Sequence, residues 1–226
     1  LEAVQEFNIS TQRFSAANGR SAGSAVNVIT RSGSNSFHGS LYIYDTQTAL
    51  NANDKLNGNN PTPQFDRQQF GGRFGGPIIK DKDFGFFAWE RLRERTQIPV
   101  LPSALSELSL VQNLNLGNVT LAAQPAATIP TPYNDTRYNG RLDHNFNASH
   151  HFFLSFAAQT NNDLNDQSGN ANDLTEGNFQ TNQLFLANAT LNSVFSSRLV
   201  NSFTAGWQYW NNLIDSTTRA PLVTFP

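Results

Sequence analysis

Residues 138–158 read YNGRLDHNFNASHHFFLSFAA and decide the fold class, because two alternating segments follow each other across a short polar join. One side of the first segment is mostly apolar: Tyr138, Gly140, Leu142, His144 and Phe146. The residues between them are all polar: Asn139, Arg141, Asp143 and Asn145. The second segment repeats the pattern with Phe152, Leu154, Phe156 and Ala158. A period of two predicts strands with one apolar and one polar face, and the short join predicts an antiparallel hairpin.

The same alternation recurs along most of the chain. Two short strands are predicted first, at 4–11 and 25–31, with Val4, Phe7, Ile9, Val26, Val28 and Thr30 as their buried residues. The longer predicted strands are 37–45, 66–78, 84–97, 136–148, 150–160, 180–195 and 199–213. The side chains predicted to face lipid are Leu142, Phe146, Phe152, Leu154, Phe156, Phe203, Ala205 and Trp207.

Composition narrows the class of protein. The net charge is -2, only 14% of residues are charged and 12% are aromatic, whereas soluble domains average about 25% charged residues. The chain has no Cys, which excludes a disulfide scaffold and a Cys-based zinc site, and its charge argues against nucleic-acid binding. A chain rich in Asn, Gln, Ser and Phe suits strands placed between water and lipid, and predicts an all-β, antiparallel transmembrane barrel.

Short and long connections alternate between the predicted strands. The joins at 79–83, 147–149 and 196–198 are short and polar, as periplasmic turns are. The linkers near 46–65, 98–135 and 161–179 are long and rich in Asn, Gly and Pro, which predicts extracellular loops. A short helix near 103–114 is predicted inside the second loop, with Ser103 as its N-cap.

Residues 18–39, NGRSAGSAVNVITRSGSNSFHG, carry a family resemblance. They resemble the junction between the plug and the first barrel strand of TonB-dependent outer-membrane receptors. The matching residues are Asn18, Gly19, Arg20, Ala22, Gly23, Val26, Asn27, Val28, Ile29, Thr30 and Arg31. Asn18 replaces the usual aromatic, and Ser24 with Ala25 replaces a Gly pair. FHGSLYIYD, QFGGRFGGPIIKDKDFGFFAWERLRERTQIP and YNGRLDHNFNASHHFFLSF resemble barrel segments of the Oar-like branch.

The resemblance implies a domain order, a location and an activity. Residues 1–33 would form the C-terminal part of the plug, and 34–226 the first part of a barrel in the cell outer membrane. The parent receptor would import a bulky or scarce nutrient, of the siderophore, oligosaccharide or peptide class, without a cofactor. Its partners would be outer-membrane lipid, the rest of the same chain, and the TonB, ExbB and ExbD complex, reached through an upstream segment. The plug–barrel seam is predicted at Arg13, Arg20, Asn27 and Arg31.

The number of strands predicts a longer parent chain. About seven barrel strands fall far short of the roughly 22 that close a transporter barrel. The chain also starts at Leu1 rather than Met. We therefore expect these 226 residues to be a piece of a longer polypeptide.

Several clusters invite a chemical interpretation. Residues 71–76, GGRFGG, lack the helix that a phosphate loop requires, so strand bends are preferred. Adjacent His150 and His151 point to opposite faces of a strand and cannot chelate one ion together. Residues 163–173 are dense in oxygen ligands but lack the Gly and Glu of an EF-hand, so an EF-hand is excluded. A calcium contact of less regular geometry stays an alternative. No catalytic set and no metal site is predicted.

Arg91, Arg93 and Arg95 fall on one side of a predicted strand, opposite Glu90 and Glu94. They are candidates for a ligand contact, a lipopolysaccharide-facing basic edge or a solvated rim. Because Arg costs about 2 to 4 kcal/mol on the lipid face at the bilayer midplane, they should lie beyond the apolar band.

Two alternatives to a transport receptor remain at the level of sequence. The first is a surface or secreted β-structure, such as an adhesin or a self-assembling sheet, since the open edges of an incomplete barrel recruit other strands. The second is a small barrel of about eight strands with a filled interior. Small, wet Asn and Ser residues on the polar faces argue against the second.

Overall fold

The computed structural model describes residues 2–11, 24–53, 55, 62–112, 125–165, 174–175 and 177–219. Its strands are β1 (Val4–Thr11), β2 (Ser24–Thr30), β3 (His38–Thr46), β4 (Phe65–Ile79), β5 (Asp83–Pro99), β6 (Thr128–Pro130), β7 (Tyr133–Asn147), β8 (His150–Leu164), β9 (Asn178–Ser196) and β10 (Leu199–Ser216). One helix, α1 (Pro102–Gln112), and a 3-10 turn at Thr48–Leu50 lie between them. The fold of the described ranges is therefore all-β with short helical pieces, as the alternation predicts.

The strands form two antiparallel sheets. β1 and β2 make a two-stranded sheet. The large sheet has the order β10-β9-β8-β7-β5-β4-β3, with β6 paired to the far end of β5. Each long strand lies beside its neighbour in the chain, as in an up-and-down barrel wall. In the part of the chain that the structure describes, the wall is open at β3 and β10.

All nine predicted strands are present, but several of them are longer than the sequence suggested. β7 begins at Tyr133 and β8 runs to Leu164, so their pairing continues through the polar stretch Tyr133↔Asp163 and Asn134↔Asn162. The predicted loops 98–135 and 161–179 are correspondingly shorter. Alternation in hydrophobicity ends where these strands leave the apolar band, whereas backbone pairing continues between polar residues. β6 was not predicted, because three residues are too few to show a period.

The end of the sheet opposite the short turns, here called the outer end, has its own small packed layer. Ile129 on β6 is fully buried and Val100 is 7% exposed. The side chain of Asn165, which adopts a positive φ of 60°, donates to the Pro130 carbonyl at 2.7 Å. The backbone N–H of Asn165 donates to the Asn178 carbonyl at 2.6 Å. These contacts fasten the ends of β8 and β9 to β6.

Helix α1 is present, but its predicted N-cap is wrong. The backbone N–H of Leu105 donates to the Leu101 carbonyl at 3.1 Å, which makes Leu101 the N-cap and Pro102 the first helical residue. Pro is favoured there because the backbone N–H of the first helical residue has no acceptor within the helix, so its absence costs no hydrogen bond. The hydroxyls of Ser106 and Ser109 donate back to the carbonyls of Pro102 and Leu105, so they are accommodated within the helix.

Strand register gives the large sheet one apolar and one polar face, because directly paired residues share a face. From β7 to β10 the apolar rows are His144–Phe152–Leu191–Phe203, Leu142–Leu154–Ala189–Ala205, Gly140–Phe156–Ala187–Trp207 and Tyr138–Ala158–Phe185–Tyr209. The band from Phe152 to Ala158 is about 20 Å long at roughly 3.3 Å per residue. That length approaches the apolar height of about 25 Å of a transmembrane barrel.

An aromatic row closes the apolar band at its outer end. It contains Trp89, Tyr138, Phe185 and Tyr209. The ring of Phe70 meets Trp89 edge-on, with 5.6 Å between centroids. Aromatic rows at this level are typical of the interface girdles of membrane barrels.

The small sheet β1–β2 corrects one expectation about burial. Phe7, Ile9, Val26 and Val28 are 51% to 59% exposed rather than buried. Alternation predicts which residues share a face, but a two-stranded sheet cannot by itself bury that face. No helix in the described ranges is long and apolar enough to cross a membrane.

Gly33 in the segment between β2 and β3 allows a close backbone contact. A β-carbon at this residue would lie 2.6 Å from the Gly85 carbonyl oxygen and 2.7 Å from that of Gly76. We expect Gly33→Ala to cost about 1 to 3 kcal/mol of unfolding free energy, because backbone atoms cannot rotate away. Urea unfolding of the vesicle-inserted protein measures this, and exposed Ser34→Ala is the control. Equal midpoints for the two variants would contradict the contact.

Candidate functional site on the polar face of the sheet

The polar face of the large sheet gathers most of the charged side chains of its strands. Register brings together Ser40, Tyr42, Arg73, Glu90, Asp135, Arg137, Arg141, Asp143, His151 and Gln159. Glu90, Asp135 and Asp143 are 8%, 2% and 6% exposed. Buried carboxylates need partners to offset their desolvation, and the strands supply them at neighbouring positions.

A chain of contacts crosses this face from β3 to β8. The hydroxyl of Tyr42 donates to Glu90, which also pairs with Arg137 at 3.6 Å. Arg137 contacts the Asp135 carboxylate at 2.6 Å, and the Gln159 amide donates to the same carboxylate at 3.1 Å. The network holds side chains of four strands, β3, β5, β7 and β8, in fixed positions.

Gly71 is the residue that lets the network cross β4. It stands between Tyr42 and Glu90 in the register, and a β-carbon there would lie 2.9 Å from the Tyr42 hydroxyl and 2.4 Å from the Trp89 carbonyl oxygen. The missing side chain opens a path over the strand for the tyrosine. Gly71 therefore has a role in the sheet that agrees with the strand interpretation of GGRFGG.

A second charged cluster lies nearer the short turns. Arg141 pairs with Asp143 at 2.8 Å, and His151 Nε2 lies 3.3 Å from the same carboxylate. The Arg141 guanidinium also sits 4.1 Å from the centre of the Phe153 ring. Stacking and a bidentate ion pair together fix this arginine against the wall.

The N-terminal segment docks on the polar face through Glu2 and Ala3. The Glu2 carboxylate lies 3.0 Å from Arg73 Nε and accepts a hydrogen bond of 3.1 Å from the Ser40 hydroxyl. Ala3 is 6% exposed and forms a buried cluster with Phe86 and Ala88. A short apolar contact and one ion pair therefore hold the segment that precedes β1 against β3, β4 and β5.

The four residues predicted to form the plug–barrel seam stay a prediction. Arg13 and Arg20 fall outside the described residues. Asn27 pairs with Asn8 in the small sheet, and the Arg31 backbone N–H donates to the Ala3 carbonyl at 2.9 Å. Sequence reasoning missed Glu2, since no local pattern distinguishes it from Glu6. The role of Glu2 is evident only from the fold, which brings its carboxylate beside the Arg73 guanidinium.

The residues predicted to face lipid all lie on or continue the apolar rows. Five of them, Leu142, Phe146, Phe156, Phe203 and Trp207, are 43% to 64% exposed. Gly140 is covered by the Phe156 ring, because a β-carbon there would lie 2.0 Å from that ring. Their contact with lipid stays a prediction.

A shallow groove of about 270 Å³ lies on the polar face near the outer ends of β8, β9 and β10. Its lining combines amides with one large ring: Gln159, Asn161, Asn182, Leu184, Gln208 and Trp210. Such a surface offers hydrogen bonds and an aromatic platform without net charge.

Metal ligands do not cluster in the described ranges. No group of three His, Asp or Glu side chains there could hold an ion. His150 donates to or accepts from the Ser193 hydroxyl at 3.0 Å, whereas His151 faces Asp143 on the other side of the strand. The possible calcium loop at 163–173 lies mostly outside the described residues.

Comparison with known proteins agrees with this geometry. The family model described as an outer membrane beta barrel domain matches residues 29–108 and 96–223. The chain belongs to this outer-membrane barrel family. A member of this family resides in the outer membrane, which confirms the predicted location. The family also accounts for a sheet with one apolar face and one face rich in paired charges.

A curated relative supports the resemblance to the Oar-like branch. The TonB-dependent transporter Oar of Myxococcus xanthus is 43% identical over 94 residues. The match covers 39% of this chain and 9% of that protein, so the chain spans a small part of its relative. Both comparisons are with membrane barrel or transport proteins rather than with enzymes. No solved structure matches the chain.

Proposed function

We propose that this chain forms part of a TonB-dependent receptor that imports a bulky or scarce nutrient by rearranging its plug. The observation that carries the proposal is the docking of Glu2 and Ala3 on the polar face of the barrel wall. One ion pair and one small apolar cluster form a contact that energy from the inner membrane can break. The opposite, apolar face suits the lipid that such a receptor needs around it.

The groove beside Trp210 suits a polar, uncharged part of the substrate. Four amide side chains line it, and Asp135 is already engaged by Arg137 and Gln159. Siderophores, oligosaccharides and peptides all present groups that pair with amides and stack on a ring. Growth of a deletion strain on each of these three classes identifies which one depends on the receptor.

A reversible covalent lock tests plug rearrangement. The chain contains no Cys, so Glu2→Cys with Ser40→Cys introduces one thiol pair where the Glu2 carboxylate and the Ser40 hydroxyl are 3.1 Å apart. Because Cys is two atoms shorter than Glu, oxidation is carried out with a short dithiol that joins the two thiols through disulfide bonds. We expect oxidation to abolish energy-dependent uptake of the substrate found in the growth assay, and reduction to restore it. The cause is that the disulfide withstands a pull that separates an ion pair.

The matched control places a lock inside the barrel wall. Thr190 and Thr204 are register partners on β9 and β10, with hydroxyls 3.0 Å apart. Thr190→Cys with Thr204→Cys should leave uptake unchanged when oxidised. Full uptake by the oxidised Glu2–Ser40 pair, with cross-linking complete, would contradict plug movement at this contact.

The open edges of the large sheet favour one other function. β3 and β10 are its end strands in the described residues, and exposed edges recruit other strands. A surface or secreted assembly would use them in this way. Solubility of the native protein without detergent would support assembly and contradict transport, while extraction from the outer membrane only with detergent would support transport.

A further inference from the structure

Strand β5 separates its charges by face. Its segment ERLRER places Glu90 and Glu94 on the polar face, where they pair with Arg137 and Arg67 at 3.6 Å and 3.8 Å. The three arginines between and beyond them occupy the apolar face: Arg91, Arg93 and Arg95, here called the arginine column. Cations therefore project toward the predicted lipid side while the anions project inward.

The arginine column begins one step beyond the aromatic row. Arg91 follows Trp89 on the same face, and alternate residues of a strand are spaced about 6.6 Å apart. The column thus rises through the interface above the apolar band. Arg at this depth is far less costly than at the bilayer midplane.

The neighbours of the column are mostly neutral hydrogen-bonding groups. Arg91 lies between Phe70 and Thr136, and its Nη1 donates to the Thr136 hydroxyl at 3.2 Å. Its Nε is buried and has no acceptor in the described part of the chain. Arg93 lies between Gln68 and Asn134. Neither arginine has a carboxylate beside it in the register.

The two nearby carboxylates are already engaged. Asp66 pairs in register with Arg95, but it accepts hydrogen bonds from the Thr48 backbone N–H at 2.9 Å and from the Gln64 amide at 2.9 Å. Asp45 lies two strands from Arg93 and accepts from Gln47 at 2.7 Å. Three arginines against these two carboxylates leave the face an excess of one positive charge at this boundary of the apolar band.

We propose that the arginine column binds the phosphate groups of a phosphorylated glycolipid in the outer leaflet. Guanidinium groups form paired, charge-assisted hydrogen bonds to phosphate, and their position just above the aromatic row is the depth of lipid headgroups. The flanking Gln68, Asn134 and Thr136 provide hydrogen bonds for sugar hydroxyls. The inference rests on the membrane orientation in the proposed function but does not depend on transport.

The test uses the full-length receptor that contains this chain, purified from outer membranes in detergent. The variant is the triple substitution Arg91→Gln, Arg93→Gln and Arg95→Gln. We expect it to carry about tenfold less co-purified phosphorylated glycolipid than the wild type, measured by native mass spectrometry. Adding bisphosphorylated glycolipid in micelles should raise the Tm of the wild type but not that of the variant.

The control removes the same charge at the opposite end of the strands. The control variant carries Lys80→Gln, Lys82→Gln and Arg198→Gln, at three residues of the short turns. It should bind as much glycolipid as the wild type. Equal glycolipid in the arginine variant and the wild type would overturn the proposal. A Tm rise with excess inorganic phosphate alone, equal to that with glycolipid, would assign the column to free phosphate and also overturn it.

The two proposals fail in different ways. Full uptake with the Glu2–Ser40 cross-link complete would contradict only the proposed plug movement. Normal outer-membrane assembly of the arginine variant with undiminished glycolipid would contradict only the glycolipid site.

Discussion

Phe156→Arg is expected to prevent assembly of the receptor in the outer membrane. Phe156 lies in the central rows of the apolar face, on β8. An arginine at the midplane costs about 2 to 4 kcal/mol, which is roughly a 30-fold or greater change in the folding equilibrium. The substitution also uncovers Gly140, over which the ring packs. Heat-modifiable mobility of the protein in outer-membrane fractions measures the folded amount.

Ala157→Arg is the matched control because it is the next residue on the same strand. Ala157 pairs with Asn139 and Leu186, so its side chain lies on the polar face. An arginine there enters a polar interior and should leave the folded amount near that of the wild type. Equal tolerance of both substitutions would contradict the assignment of the lipid face, and with it Leu142, Phe152 and the other predicted members.

Gly71→Ala is expected to destabilise the barrel by roughly 3 kcal/mol or more. The new β-carbon would lie 2.4 Å from the Trp89 carbonyl oxygen, which is a backbone atom held in the sheet. It would also push the Tyr42 hydroxyl away from Glu90, which is 8% exposed. Two causes therefore add: steric overlap, and one fewer hydrogen bond to a buried carboxylate. The midpoint of urea unfolding in lipid vesicles measures the loss.

Gly85→Ala separates this effect from a general intolerance of β-carbons. A β-carbon at Gly85 would meet its nearest atom at 3.5 Å, an ordinary contact. Its unfolding free energy should stay within about 0.5 kcal/mol of the wild type. A similar loss in both variants would show that the network across β4 contributes little. Tyr42→Phe, which removes only the hydroxyl, should reproduce part of the Gly71→Ala loss.

Strand positions and faces were predictable because a barrel wall leaves two signals in the sequence. The side-chain period is two, and the apolar set must all fall on one side. Residues 138–158 show both features, and the structure places β7 and β8 there. The short turns were predictable too, since antiparallel neighbours need few residues to join.

The outer ends of the strands were not predictable in the same way. Beyond the apolar band β7 and β8 carry polar residues on both faces, so Tyr133 and Asn161 show no alternation although they lie in paired strands. The buried Ile129 layer is decided by long-range contacts with β6 and Asn165, which no local pattern specifies.

The sequence by itself determined that this protein is an antiparallel barrel wall with a polar and an apolar face, because periodicity is a local property. The family resemblance also came from a local stretch, residues 18–39. Only the tertiary structure decided that Glu2 meets Arg73, that Tyr42 reaches Glu90 across Gly71, and that Arg91 and Arg93 stand beside neutral groups. Those contacts join residues on different strands, and their energies depend on register and burial rather than on spacing in the chain.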